Sequence, residues 1–406
     1  MRLMIDLSGT TIYVMRALWE QRPLIKTATQ YGATVIAVDE DDDAEGFDLA
    51  SASETVSSLR SLDDCLSVAT NYNIDAVVSD ECDYSLFACS YLGERLDLPA
   101  VDLATAQVTT NKKRMRRRVG DSVHQPAYQI CTTLAETTAA IKDISLPCII
   151  KPTDNRGGFG VSRVTTETEI PTAFYDALAE SHSREILVEE FIDGIPLSID
   201  GYQLEDSHRS LAVGSKNTSM GSLHPQLQIQ YPGAIDQSVI ENAKQVNDTV
   251  ADALGVRMGA THAEYIYADD DLYLLEFQNR GGGVHTSAKI VPELTGFDVS
   301  TQLLADATGQ KTGQESSQYR MKGACIMEFL DFEPGYVTDI TGVDKIRERE
   351  NVLTFRLYFD ADQEIEDFTA FTDSHGVIVT TGETPANARQ NINEALSAFE
   401  LTYADS

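Results

Sequence analysis

Over residues 1 to about 105, short apolar runs alternate with longer stretches in which apolar residues recur every three or four positions. LMIDL at 3–7 reads as a strand and Ile12 to Tyr31 as a helix. ATVIAVDEDD at 33–42 reads as a second strand that ends in acids. Leu62 to Tyr72 predicts a helix, IDAVVSD at 74–80 a strand, Tyr84 to Leu96 a helix, and LPAVD at 98–102 a further strand. Strands that alternate with helices predict a parallel sheet. A dinucleotide-binding unit needs GxGxxG after its first strand, and Leu7-Ser8-Gly9 stands there instead.

The middle of the chain changes pattern. Ala127 to Val164 reads as strand, helix, then CIIKP at 148–152, and TDNRGGFGV follows at 153–161 as a glycine-bearing loop. Backbone amides of such a loop can cover phosphates. ILVEEFIDG at 186–194 is a strand, and LSIDGYQ and SLAVGSK continue a sheet. Residues 216–233 lack periodicity and contain Gly and Pro, so they predict a mobile loop over a site. Ile235 to Leu254 is an amphipathic helix. Gly283 to Leu304 predicts a helix entry capped by Thr286 or Ser287. From about 320 to 406, short strands and turns end in a helix, PANARQNINEALSAF.

The most informative stretch is AEYIYADDDLYLLEFQNRGGG, Ala263 to Gly283. Two strand-like runs flank three aspartates and predict a hairpin. With the turn centred on Asp270, Glu264 lies opposite Glu276. Two carboxylates that close repel unless a cation sits between them. Hard oxygen ligands suit magnesium, which shares its shell with phosphates and water. Alternation puts Glu276, Gln278 and Arg280 on one face: an anion, an amide oxygen and a guanidinium.

Composition sharpens this picture. The 406 residues leave room for two or three domains, and no apolar run is long enough to span a membrane. The six cysteines are scattered, which fits a reducing cytoplasm better than disulfides or a metal site. No signal peptide is evident, and a cytoplasmic location is expected. With 64 acids against 31 bases the net charge is −33, a field that repels nucleic acid and anionic membrane. An anionic ligand therefore needs a local basic exception. NKKRMRRR at 111–118 is the main basic cluster; most of its arginines read as a solvated helix face, with one lysine as a phosphate contact.

Asn111-Lys112, then IIKP with its glycine loop, then EEFIDG, then the Glu264/Glu276 hairpin ending in Arg280 occur in an order that resembles the ATP-grasp superfamily. The resemblance covers roughly residues 1–300 and, more loosely, the C-terminal segment. It implies an α/β and α+β fold: an N-terminal parallel α/β domain (1–108), a lid subdomain (109–194), and a large subdomain (195–406) with a β-rich segment from about 320. It implies ATP as cosubstrate and magnesium, with manganese as an alternative. By the resemblance, Lys112 and Lys151 contact phosphates, and Gly157, Gly158 and Gly160 form the phosphate loop. Glu189 and the Ile192 backbone meet the adenine edge. Glu264 and Glu276 hold the metal, and Arg280 neutralises the γ-phosphate and the acyl phosphate.

Two positions depart from the family pattern. Glu-x-Asn-x-Arg is replaced by Glu276-Phe277-Gln278-Asn279-Arg280, so Gln278 is the third ligand by alternation while Asn279 stays open. Where the family carries a ribose-binding glutamate, seven residues past Glu189, this chain has Pro196, which leaves Asp193 as a substitute or the ribose held otherwise. Layout and the ending GVIVTTGETPANAR (376–389) resemble the biotin-carboxylase-like group, and within it the carboxylate–amine ligases, including L-amino acid ligases. The implied activity joins a carboxylate to an amine through an acyl phosphate with release of ADP. A purine-pathway carboxylase or formyl transferase and an inert ATP-binding regulator are the alternatives. The expected partners are small molecules, with a homodimer left open. His262, His285 and Arg257 are candidate substrate contacts.

Overall fold

The computed structural model describes residues 5–205, 207–217, 228–314, 319–368 and 373–404. Strands β1 (Thr11–Met15), β2 (Thr34–Asp39), β3 (Ala52–Thr55) and β4 (Ala76–Val78) form a parallel sheet in the order β3-β2-β1-β4. Helices α1 (Arg22–Gln30), α2 (Leu62–Tyr72) and α3 (Asp83–Leu96) follow β1, β3 and β4. Ile12, Tyr13, Val14 and Met15 are all fully buried, so β1 is covered on both faces, as a parallel strand between helices must be.

Three expectations for this region are corrected. Ile5–Leu7 form no strand, and β1 occupies the start of the helix predicted at Ile12–Tyr31. The run Thr10-Thr11-Ile12-Tyr13-Val14 is β-branched and aromatic, which favours extension. The helix waits for Pro23, in the first turn of α1, where its missing N–H costs nothing. LPAVD is not a strand either. Asp102 caps α4 (Leu103–Thr109) by accepting the Thr105 N–H at 2.9 Å. Asn111 caps α5 (Lys112–Val119) in the same way, through the Arg114 N–H at 3.0 Å.

Strands β5 (Tyr128–Cys131), β6 (Cys148–Pro152), β7 (Ser162–Val164) and β8 (Ile186–Glu190) form an antiparallel sheet in the order β5-β8-β6-β7. Helices α6 (Leu134–Ile144) and α7 (Ile170–Glu180) cover it. Cys148, Ile150, Phe174, Ile186 and Val188 give this unit a hydrophobic core of its own.

The third sheet begins with β9 (Ile195–Gln203), β10 (His208–Asn217), β11 (Gln228–Tyr231), β12 (Gly259–Ala268) and β13 (Asp271–Gln278). The last third of the chain adds β14 (Ala324–Leu330), β15 (Gly335–Thr341), β16 (Val352–Leu357), β17 (Gln363–Ile365), β18 (Gly376–Gly382) and β19 (Glu400–Tyr403). Three of these extend the sheet to eight strands, β13-β12-β9-β10-β11-β14-β18-β16, and the others make a small sheet, β17-β15-β19. Helix α8 (Gln237–Leu254) packs Ile240, Ala243 and Val250 against Ile199, Val213 and Tyr265 on one face of the large sheet. The other face shares a core with the N-terminal sheet, through Tyr202, Ala212 and Met327 beside Ile12 and Val14. The site therefore lies where three sheets converge.

The loop predicted at 216–233 lies in part outside the described residues, at 218–227; Lys216 and Asn217 belong to β10 and 228–231 to β11. The predicted cap after Gly283 is also corrected. Thr286–Ile290 is a π-helical turn without a side-chain cap. The Thr286 hydroxyl donates to the Gly283 carbonyl at 2.7 Å, and Ser287 turns away to the N-terminal domain. Among the described residues no helix is long and apolar enough to cross a membrane.

Candidate active site

The hairpin reaches the expected pairing by an unexpected route. Ala268 pairs with Asp271, so the turn is only Asp269-Asp270, both left-handed at φ 49° and 65°, as a two-residue type I′ turn requires. A regular ladder from that turn would set Glu264 opposite Leu275. The register shifts between Glu264 and Tyr265: Tyr265 faces Leu274, Glu264 faces Glu276, and Leu275 is bulged out. The bulge is held from outside the hairpin. Arg116 donates to the carbonyls of Leu274 (2.9 Å) and Leu275 (3.4 Å), and the Leu274 N–H donates to the His124 carbonyl (2.9 Å). The Phe277 N–H meets Met115 Sδ at 3.1 Å.

On the face so formed, Lys112 Nζ lies 2.8 Å from Glu276 Oε1 and 2.7 Å from the Asn155 carbonyl. Gln278 Nε2 reaches Glu276 Oε1 at 3.1 Å and Asp83 Oδ2 at 3.3 Å. Arg280 Nε is 3.0 Å from Asp83 Oδ1. Lys216 Nζ is 2.5 Å from Glu264 Oε1, and His262 bridges Asp200 (2.8 Å) towards Glu264 (3.9 Å). Asn279 points to the opposite face, where its Nδ2 donates to the Met258 and Ala260 carbonyls, each at 3.0 Å. Gln278, not Asn279, thus shares the carboxylate face.

Charges set the protonation states. Burial opposes ionisation of Glu264, but Lys216 and His262 outweigh it and hold the carboxyl well below its usual range. Burial would lower His262, yet Asp200 outweighs it and raises the imidazole to about 9, so the ring is cationic at neutral pH. Burial likewise disfavours the Arg280 cation, and Asp83 outweighs it.

Beneath this face, Glu189 is 2% exposed, with Lys151 Nζ at 2.5 Å and Arg116 Nη2 at 2.5 Å. Its burial is outweighed by these two cations, and the carboxyl is lowered. Both Glu189 oxygens are engaged by these cations, and the Ile192 backbone beyond β8 stands free of sheet pairing. Arg114, Arg117 and Arg118 are exposed, as a solvated helix face requires, and Arg116 is the exception. Lys112, Met115, Arg116 and Val119 form the buried stripe of α5, and Arg116 is 0% exposed. Their helical spacing was the available signal.

Gly157, Gly158 and Gly160 have φ of 64°, 78° and 66°, a region that favours glycine. At Gly160 a Cβ would also stand 2.9 Å from Glu180 Cβ and 3.1 Å from Ala177 Cα. The triple glycine after Arg280 meets an anion of the protein itself. The Gly281 N–H donates to Asp80 Oδ1 at 2.8 Å, and a Cβ there would come within 2.4 Å of Ser287 Cβ. Asp80 also accepts from Ser287 Oγ (2.5 Å), and Glu81 accepts the His285 N–H (3.0 Å). Asp80, Glu81 and Asp83, just past the C-terminal end of β4, escaped the sequence reading. Their position beyond a parallel strand was the signal. Lys216 also escaped it.

Two candidate substrate residues are corrected. His285 is 3% exposed, packed on Trp19 at 3.9 Å between ring centroids, and pushed down to about 3 by burial and Lys289. Arg257 has a side chain 68% exposed, 3.9 Å from Asp252, and meets none of the cluster.

Among the described residues no group of three or more His, Cys, Asp or Glu is arranged for a metal. The donor set is instead the carboxylates of Glu264 and Glu276, with Gln278 beside them turning its Nε2 to Glu276. The bonds to Glu264 and Glu276 fall on Oε1, so each Oε2 has no hydrogen-bond partner among the described residues. Such hard oxygens fit magnesium shared with phosphates.

Residues 144–288 match the family model of the ATP-grasp domain, and residues 328–404 match that of the L-amino acid ligase C-terminal domain 2. Residues 144–288 are thus an ATP-grasp domain by their sequence. An L-amino acid ligase from Bacillus licheniformis has the same fold, with TM-score 0.84 over 98% of this chain and 100% of that one at 18% identity. A phosphoribosylglycinamide synthetase from Anaerococcus prevotii follows with TM-score 0.77 over 97% and 100% at 17% identity. By sequence, a formate-dependent phosphoribosylglycinamide formyltransferase of Nostoc sp. is 27% identical over 274 residues, 64% of this chain, and the chain spans 66% of that relative's length. The ATP-grasp match runs from before β6 to the π-helical turn. It includes Lys151, the glycine loop, Glu189 and the hairpin, and leaves out Lys112 and Arg116, which α5 brings in.

Proposed function

We propose that this ATP-grasp protein is an ADP-forming ligase that activates the carboxylate of an amino acid as an acyl phosphate and joins it to an amine. The observation that carries the reading is the facing pair Glu264 and Glu276 with Gln278 and Arg280 on the same face. Magnesium held by Glu264, Glu276 and Gln278 would supply charge neutralisation at the phosphate oxygens. Lys112 and Lys151 approach from α5 and β6 and bind phosphate, and the Ile192 backbone takes the adenine edge. Asp193, exposed beside it, is available to the ribose where Pro196 offers no carboxylate. Glu189 acts by holding Lys151 and Arg116 in place. Asp83 and the Gly281 carbonyl take three of the five donors of Arg280, which fixes the fork for the γ-phosphate and the acyl phosphate. Residues 109–194 act as the lid, a role supported by the separate core that Cys131 to Val188 form within them. Gly157, Gly158 and Gly160 close over the phosphates, and closure excludes water from an acyl phosphate that hydrolyses readily.

The curated relatives favour a second reading, transfer of formate to phosphoribosylglycinamide. The C-terminal match to an L-amino acid ligase domain supports the first. ADP release measured with ATP, magnesium and pairs of amino acids separates them. The ligase reading expects release that depends on both members of a pair. Release driven only by formate with phosphoribosylglycinamide, or none that depends on an amine, overturns it.

A further inference from the structure

A cavity of about 500 Å³ opens between the N-terminal domain and the lid. Three guanidiniums line it, Arg60 from the loop before α2, Arg114 from α5 and Arg156 from the glycine loop. In a chain with twice as many acids as bases, none of the three is ion-paired among the described residues. Arg60 meets His182 (2.7 and 3.1 Å), Arg114 meets Gln107 Oε1 (2.8 Å), and Arg156 meets Cys82 Sγ (3.2 Å). The acids of the cavity are each engaged. Asp83 is matched by Arg280, Glu276 by Lys112, and Asp154 accepts from Ser181 Oγ and the N–H groups of His182 and Ser183. Two ion pairs cancel, which leaves three positive charges against Asp154.

The arginines are also held in place. Arg60 and Arg156 both stack on Tyr84, with guanidinium carbons 4.0 and 4.3 Å from the ring centroid. Leu59 and Phe87 supply apolar wall, and Glu276 places one end of the cavity at the metal-binding strand. The volume suits a small molecule. A ligand with one end at Glu276 reaches the reaction centre, and its other end lies among forks that match a carboxylate.

We propose that this cavity receives the substrate side chain, and that the substrate carries a second anionic group, a carboxylate, besides the one that is activated. Arg60 belongs to the N-terminal domain and Arg156 to the lid, so the same carboxylate draws the two together. The assignment of the occupant as substrate rests on the ligase reading; the selectivity of the cavity does not.

Calorimetric titration of the full chain, loaded with ADP and magnesium, with L-glutamate and then L-glutamine tests the selectivity. The expected result is at least ten-fold tighter binding of glutamate, lost in Arg60→Ala/Arg114→Ala with ADP affinity unchanged. Both positions are exposed, so the variant should keep its fold; Arg60→Gln alone carries the same test with a smaller shift. Equal binding of the two amino acids, or a preference that survives the substitutions, overturns the proposal. Loss of ADP binding in the variant assigns the arginines to the nucleotide and overturns it too. A failed ligase reading shows separately, as the absence of amine-dependent ADP release.

Discussion

Arg116→Met tests the idea that a buried guanidinium sets the catalytic register from outside the hairpin. Methionine keeps an unbranched chain in a fully buried position and removes every polar contact. Glu189 loses one of its two cations and keeps Lys151 at 2.5 Å. Breaking a buried pair costs about 3–5 kcal/mol, and each carbonyl left unpaired about 1–3 kcal/mol. One guanidinium makes all these contacts, so the costs do not add, and about 3–5 kcal/mol is expected in total. Domains of this kind have about 5–15 kcal/mol to lose, so the variant should still fold at 25 °C. The larger effect is on register. With the Leu274 and Leu275 carbonyls released, the two-residue turn favours a regular ladder, which sets Glu264 opposite Leu275 and turns Glu276 off the shared face. Misplacing a positioned group by an ångström costs about 10²-fold in rate, so ADP release should fall at least that far. Urea unfolding and ADP release, measured together, separate the two effects. Arg116→Lys retains a charge beside Glu189 without the fork, and should recover stability more than rate. Deleting Leu275 in the Arg116→Met background returns Glu276 to Glu264 in a regular ladder, and should restore part of the rate. Wild-type rate in Arg116→Met, or no recovery in a folded deletion variant, refutes the reasoning.

Other outcomes follow from the same geometry. Glu264→Ala and Glu276→Ala should each abolish ADP release with an unchanged circular dichroism spectrum; near-normal turnover in either would remove it from the metal site. Arg280→Ala should lower the rate by about 10²–10³-fold while calorimetry shows ATP affinity little changed, with Arg280→Lys a poor rescue. Weak ATP binding as the whole cause would refute a role in the transition state. His285, pushed down to about 3 by burial and Lys289, titrates near 6.5 when unfolded, so the unfolded chain takes up the proton first as pH falls. Its contribution to stability is complete above about pH 6.5 and falls by about 1.4 kcal/mol per unit from there towards pH 3. His285→Asn should therefore flatten the loss of stability between pH 7 and pH 5, and equal slopes in variant and wild type would contradict a buried neutral ring.

What the sequence determined by itself is local. Period and turn chemistry located β2, α2, α3, β6, β8 and α8 to within a few residues, because amphipathic spacing and caps act over one or two turns. Alternation put Glu276, Gln278 and Arg280 on one face. Ile12–Met15 was misread because four apolar residues in a row carry no period, and burial on both faces of β1 decided it. Tertiary structure decided the rest. Leu275 bulges because Arg116, some 160 positions earlier, takes its carbonyl and that of Leu274. Asp80 and Asp83 dock on Gly281 and Arg280, about 200 positions away. Lys216 and His262 fix the charge on Glu264. A side chain's spacing tells which way it points from its own backbone. The field it feels depends on which distant charges the fold brings within 3 Å, and no local pattern records that.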